Sequence, residues 1–230
     1  MTSVDYLALA LFAGLWVAFS ALTGNTRILP RPSLTQLMAE RRREWIRNSL
    51  SRELKMIDTQ IMAGLQNGTA FFASTSIFAI GGCFALLGAA QQAETVFQDL
   101  PFVMSGGRAA FELKVCGLTA IFGYSFFKFG WSYRLFNYCT ILFGALPMTR
   151  DMQGNPAAAE RAADRVASMN IIAASHFNAG LRAIFLSIGY LGWFASAYFF
   201  MATTVFVIIV LVRRQFFSAA RLALMDISPP

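Results

Sequence analysis

Apolar residues fall along this chain in long blocks. Four blocks stand out: 4–22, 69–90, 109–129 and 183–212. Each approaches or exceeds the roughly 20 residues with which a helix crosses the hydrocarbon core. Between them lie mixed segments with helical character, 33–66, 131–146 and 157–182. The pattern predicts an all-α membrane protein, a single membrane domain over 1–230. It has about four transmembrane helices, some extending into the cytoplasm as long helices.

The mixed segments carry their own signals. Ser33 is a helix N-cap candidate. Leu34, Leu37, Met38, Trp45, Leu50, Leu54, Ile57 and Ile61 then approximate one helical stripe, lying at the membrane interface or standing out as a stalk and running on towards the second span. The third block stays apolar to Leu146, and as a helix 109–146 measures roughly 57 Å, too long for the bilayer alone. We therefore expect a span to about Phe129 and an apolar continuation packed on protein, ended by Pro147. Every seventh residue supports continuity: Ala109, Cys116, Gly123, Gly130, Asn137 and Gly144 form a small or polar stripe, and Phe122, Phe129, Phe136 and Phe143 an aromatic one. The small stripe predicts close approach of a neighbouring helix. Met148–Pro156 reads as a break, and Pro156 as a first-turn proline of a helix carrying Arg161 and Arg165.

The last block allows two readings. One helix over 183–212 would measure roughly 45 Å, the whole bilayer with its headgroups. A hairpin of two shorter passes is the rival. Nothing at Phe194–Phe200 looks like a turn, so the single pass is preferred. Cations decide orientation. Most Lys and Arg fall in Gly24–Asn67 and Pro147–Arg182, whereas Gln91–Arg108 holds one Arg and reads as an outside loop. The N-terminus, with Asp5 and no early cation, is then outside, and its apolar run is a retained span rather than a signal peptide. Four spans leave Arg213, Arg214 and Arg221 outside, against the rule.

Composition agrees with lipid. The chain is 57% hydrophobic and only 13% charged, with 23 Phe, where a soluble domain is about one quarter charged. The net charge of +7 beside apolar runs points to anionic lipid headgroups as partners, not nucleic acid. Cys83, Cys116 and Cys139 lie in apolar stretches and read as packing residues.

Candidate chemistry is sparse. A single histidine, His176, rules out a two-histidine metal site, and no nucleophile elbow or phosphate-binding loop is present. No enzyme activity, metal or cofactor is expected. Polar groups at membrane depth carry what signal there is, because hydrocarbon makes them costly. Lys128, Arg134, Asn137, Asn178 and Arg182 could form a cationic ring at the cytoplasmic side, for anions or lipid phosphates. On the second span Gln60, Gly64, Asn67, Phe71, Ser74, Phe78, Gly81, Ala85 and Gly88 share a face. In a monomer it is a packing seam; in a homo-oligomer Ser74, Phe71 and Phe78 could line a pore. Two functions follow as expectations: an oligomeric channel or transporter for small, anionic solutes, or a non-conducting scaffold or accessory subunit binding a partner protein or anionic lipid.

The stretch Lys128-Phe129-Gly130-Trp131-Ser132-Tyr133-Arg134-Leu135-Phe136-Asn137-Tyr138 resembles one in an uncharacterised family of small membrane proteins of bacteria and plants, a domain of unknown function. His176-Phe177-Asn178-Ala179-Gly180-Leu181-Arg182-Ala183, Gly192-Trp193-Phe194 and Arg213-Arg214-Gln215-Phe216 are similar to it as well. The resemblance implies a multi-pass protein of the bacterial cytoplasmic membrane and brings no activity, cofactor or catalytic residue. The family pattern often has an acid where this chain has Gln215.

Overall fold

A computed structural model describes residues 2–24, 31–92, 107–148 and 155–225. The sequence readings at Asn25 and Arg27, most of Gln91–Arg108 and most of Met148–Pro156 lie outside the described residues. Within them every regular element is helical. The order is α1 (Ser3–Gly24), α2 (Leu34–Asn48), a short 3-10 turn (Ser49–Ser51), α3 (Met56–Gly88), α4 (Arg108–Gly144), α5 (Pro156–Leu191), a second 3-10 turn (Gly192–Phe194), α6 (Ala197–Phe216) and α7 (Ala219–Leu224). Five helices, α1, α3, α4, α5 and α6, are long and apolar enough to cross a membrane.

The fifth arises where a single pass was preferred. The stretch 183–212 is not one helix: α5 stops at Leu191, and the chain turns through Gly192–Phe194 into α6. Glycine makes the turn possible. A Cβ on Gly192 would collide with the Thr203 hydroxyl, and one on Gly189 would lie 3.2 Å from the Thr204 Cα. Both glycines let α5 and α6 touch, and the Thr203 hydroxyl donates to the Gly189 carbonyl at 2.7 Å. Ser196 caps α6, accepting from the Phe199 amide at 3.1 Å.

Two other boundaries differ from the reading of the sequence. The stripe from Leu34 to Ile61 does not run on into the second span. It breaks after Asn48, where Trp45 and Arg52 converge on the buried Asp58 carboxylate. Leu54, Ile57 and Ile61 consequently point outward. Arg182 marks no boundary, because α5 passes through it unbroken. Elsewhere the local signals act as their chemistry suggests. Ser33 and Gln36 form a capping box on α2, Pro156 opens α5 beneath an Asn155 cap, and α4 is continuous past Phe129 and ends ahead of Pro147.

The spine of the molecule is the antiparallel pair α4–α5. On α4, Phe129, Phe136 and Phe143 are buried at seven-residue steps, with Phe122 before them half-buried, and Phe111, Leu118, Ser125, Ser132 and Cys139 are buried at the same step. Opposite them α5 buries small residues, among them Ala159, Ala163, Ala173, Gly180 and Ala183. Large rings on one helix thus sit in the space left by small residues on the other. A Cβ on Gly180 would lie 2.8 Å from the Phe129 ring. Ser125, Ser132 and Cys139 donate in turn to the Gly180, Ala173 and Val166 carbonyls, at 3.4, 2.7 and 3.6 Å. Each seven-residue step on α4 is answered by one on α5, which fixes the register. The small stripe of α4 is therefore not the contact surface expected of it. Ala109, Cys116 and Gly144 are exposed, and a Cβ on Gly123 or Gly130 would meet nothing.

α3 packs along α4, burying Met62, Thr69, Ser76 and Cys83 at the same step of seven, and meets α5 as well, where Phe72 lies 5.7 Å from the Phe177 ring. Its Phe72 stacks on Phe129 at 5.5 Å. One end of the bundle is an aromatic cluster in which Phe12, Tyr190, Trp193 and Phe200 pack together. It is tied by the Trp193 indole donating to Asp5 at 2.8 Å. At the other end α2 lies against the beginning of α5, with Ile46 and Leu50 packed on Cys139, Phe143 and Val166.

Candidate functional site

At the α2 end, α1, α2, α5 and α6 line a half-open cavity of about 450 Å³. Three arginines from three helices reach it: Arg42 of α2, Arg182 of α5 and Arg214 of α6. Asn178, Thr35 and Gln215 add uncharged polar groups, and much of the remaining wall is apolar, including Phe19, Met38, Phe185 and Leu211. No carboxylate lines it among the described residues.

Each arginine is held by its helix. Arg42 stands one helical turn before the buried Ile46, so the face that docks α2 also turns Arg42 inward. Its guanidinium donates to the Asn170 amide oxygen, and the Asn170 amide donates to the Cys139 sulfur at 3.5 Å. Burial pushes the Arg42 guanidinium below its ordinary value. Arg182 reaches back towards the start of α5, where Nη1 donates to the Thr23 hydroxyl of α1 at 3.4 Å. Its Nε is buried with no hydrogen-bond partner. Arg214 is exposed at the end of α6. Neither it nor Arg42 nor Arg182 is in an ion pair with a described carboxylate.

The walls are pinned around them. The Gln215 amide donates to the Thr35 hydroxyl at 2.7 Å, while the Thr35 amide donates back to Gln215 at 3.3 Å. These bonds fasten the end of α6 to the start of α2. Arg221, only 3% exposed, donates to the Pro32 carbonyl at 2.8 Å and holds α7 against the lead-in to α2.

The sequence candidates separate into three places. Asn178 and Arg182 line the cavity. Lys128 lies over the Tyr124 ring at 5.3 Å. Arg134 is exposed between Trp131 and Tyr138, donating to the Tyr138 hydroxyl at 2.6 Å, and Asn137 is half-buried on the same helix. The single cationic ring is therefore not assembled, because Lys128 and Arg134 spend their cations on aromatic rings of their own helix. Phe71, Ser74 and Phe78 lie in the third place, the outward face of α3, where Phe78 is 79% exposed. That face is not a seam within the chain: a Cβ on Gly64, Gly68, Gly81 or Gly88 would meet nothing.

Arg42, Arg214 and Thr35 were not among the site candidates read from the sequence, and Gln215 entered only through the family resemblance. A signal existed for each arginine. Arg42 precedes Ile46 by four residues, and Arg214 joins the α2 end once 183–212 is folded as a hairpin.

A family model described as "Protein of unknown function, DUF599" matches residues 7–220. No curated protein and no solved structure matches the chain.

Proposed function

The chain belongs to the DUF599 family, and we propose that it is a multi-pass protein of the bacterial cytoplasmic membrane whose arginine cavity binds small anionic solutes for transport. The observation that carries this reading is the convergence of Arg42, Arg182 and Arg214 on one cavity without a lining carboxylate among the described residues. Guanidinium groups are permanently charged forks for oxyanions, and half-buried cations are costly until an anion joins them.

The membrane part rests on the outer surface and on charge. Large apolar side chains face outward on α3 and α6, including Ile77, Phe78, Phe206 and Ile209. Exposed aromatics suit the two interfaces: Tyr6 and Tyr198 at the aromatic-cluster end, Trp131, Tyr133 and Tyr138 towards the other. Of the described cations, only Arg108 and Lys114 belong to the aromatic-cluster end. With α1 entering from outside, five crossings return Arg213, Arg214 and Arg221 to the cytoplasmic side. The positive-inside conflict of a four-span topology disappears.

Liposomes containing the purified protein should take up a small organic anion, and Arg182→Ala should lower the rate by about tenfold or more, the loss of one buried charged hydrogen-bonding group. Uptake indifferent to Arg182→Ala would sink the cavity as the transport site. A second reading is favoured by the outward α3 face: in a homo-oligomer Phe71, Ser74 and Phe78 would surround a shared path. Flux would then respond to Phe78→Ala and not to Arg182→Ala. Silent liposomes with anion binding intact would favour a non-conducting accessory protein.

A further inference from the structure

We infer that the cavity's ligand is a phosphate ester. The inference rests on the anion reading and narrows it to one head-group chemistry. Three features point to an oxyanion, and the first two select phosphate. The charged donors come from three helices, so their acceptor must offer oxygens in several directions. A tetrahedral phosphate does so, whereas a carboxylate presents two oxygens in one plane and suits one fork. The charge to be met is large, with three arginines and no carboxylate among the described lining residues, which suits a dianionic monoester. Finally, the Arg182 Nε is buried without an acceptor, and the Asn178 side chain lines the same cavity.

The rest of the cavity argues for an ester with an organic body rather than the bare ion. A volume of about 450 Å³ falls within the roughly 300–1,000 Å³ of clefts that hold small organic ligands. Phe19, Met38, Phe185 and Leu211 give that body an apolar surface. Phosphatidic acid, a membrane lipid whose headgroup is a monoester, and a free phosphate monoester share this chemistry.

Calorimetric titration of the full-length protein in a non-ionic detergent separates the sources. The probes are dihexanoyl phosphatidic acid, glycerol 3-phosphate, hexanoate and dihexanoylglycerol. Either phosphate ester should bind at least about tenfold more tightly than hexanoate or dihexanoylglycerol, and Arg182→Ala should remove about tenfold or more of that affinity. Arg214→Ala, at an exposed position where folding is not at risk, should weaken binding in the same direction. Gln215→Glu, which brings a carboxylate to the wall, should do so too. Tighter binding of dihexanoyl phosphatidic acid than of glycerol 3-phosphate assigns a lipid, and equal binding assigns a free ester. Hexanoate binding as tightly as the phosphates would overturn the inference and leave the anion reading standing. Dihexanoylglycerol binding as tightly, or affinity unchanged in Arg214→Ala and Gln215→Glu, would overturn both. Failure of all four probes to bind would also overturn both.

Discussion

The α4–α5 interface and the outward face of α3 are built from the same kinds of residue and have opposite fates. Both interleave phenylalanine with glycine, alanine and serine at helical spacing. On α4–α5 every element of the pattern is occupied: Phe129 fills the space over Gly180, and Ser132 bonds the Ala173 carbonyl. On α3, Phe71 and Phe78 project outward, and the glycines face open space. Small residues at helical period record that a helix is able to approach; they do not say which one. Assignment comes from complementarity, from the rings that need the gaps.

The contrast is open to graded attack. Removing the knob should cost most: Phe129→Ala should destabilise the detergent-solubilised protein by about 3–5 kcal/mol, read by chemical denaturation. Filling the hole is next. Gly180→Val should cost about 2–3 kcal/mol, because the Phe129 ring must move aside. Ser132→Ala leaves the shape intact and removes one side-chain bond, so about 0.6 kcal/mol is expected from the same assay. The matching change on α3, Ser74→Ala, should leave unfolding within about 0.5 kcal/mol of the parent. A large loss there, accompanied by a change in oligomer size on a sizing column, would show that the α3 face has a partner of its own.

The sequence exposed the spine because α4 keeps a strict seven-residue step across its whole length, and a step that regular survives burial on any side. Which stripe makes contact was hidden. Gly123 and Gly130 advertise close approach as well as Gly180 does, and only the facing helix decides. The turn at Gly192–Ser196 was hidden for a different reason. Its residues are apolar or small, so hydropathy runs through it, and only the Gly189–Gly192 spacing and the Ser196 cap mark it. That one turn also decided the site. With 183–212 as a single helix, Arg214 would stand at the opposite end of the bundle from Arg42. With the hairpin, the two line one cavity. Asn178 and Arg182 were legible as costly polar groups at depth. Their partners come from α1, α2 and α6, and proximity between such distant segments leaves no periodic trace.

The proposed five-crossing topology, with its arginine cavity on the cytoplasmic side, is tested most directly by cysteine labelling in intact bacterial cells with a membrane-impermeant maleimide. Ala195→Cys and Ala219→Cys would each be placed on a chain lacking the native cysteines. Residue 195 should react in intact cells, and residue 219 only after the membrane is permeabilised. Reaction of residue 219 in intact cells, with residue 195 silent, would restore the single final pass and put Arg214 on the far side from Arg42.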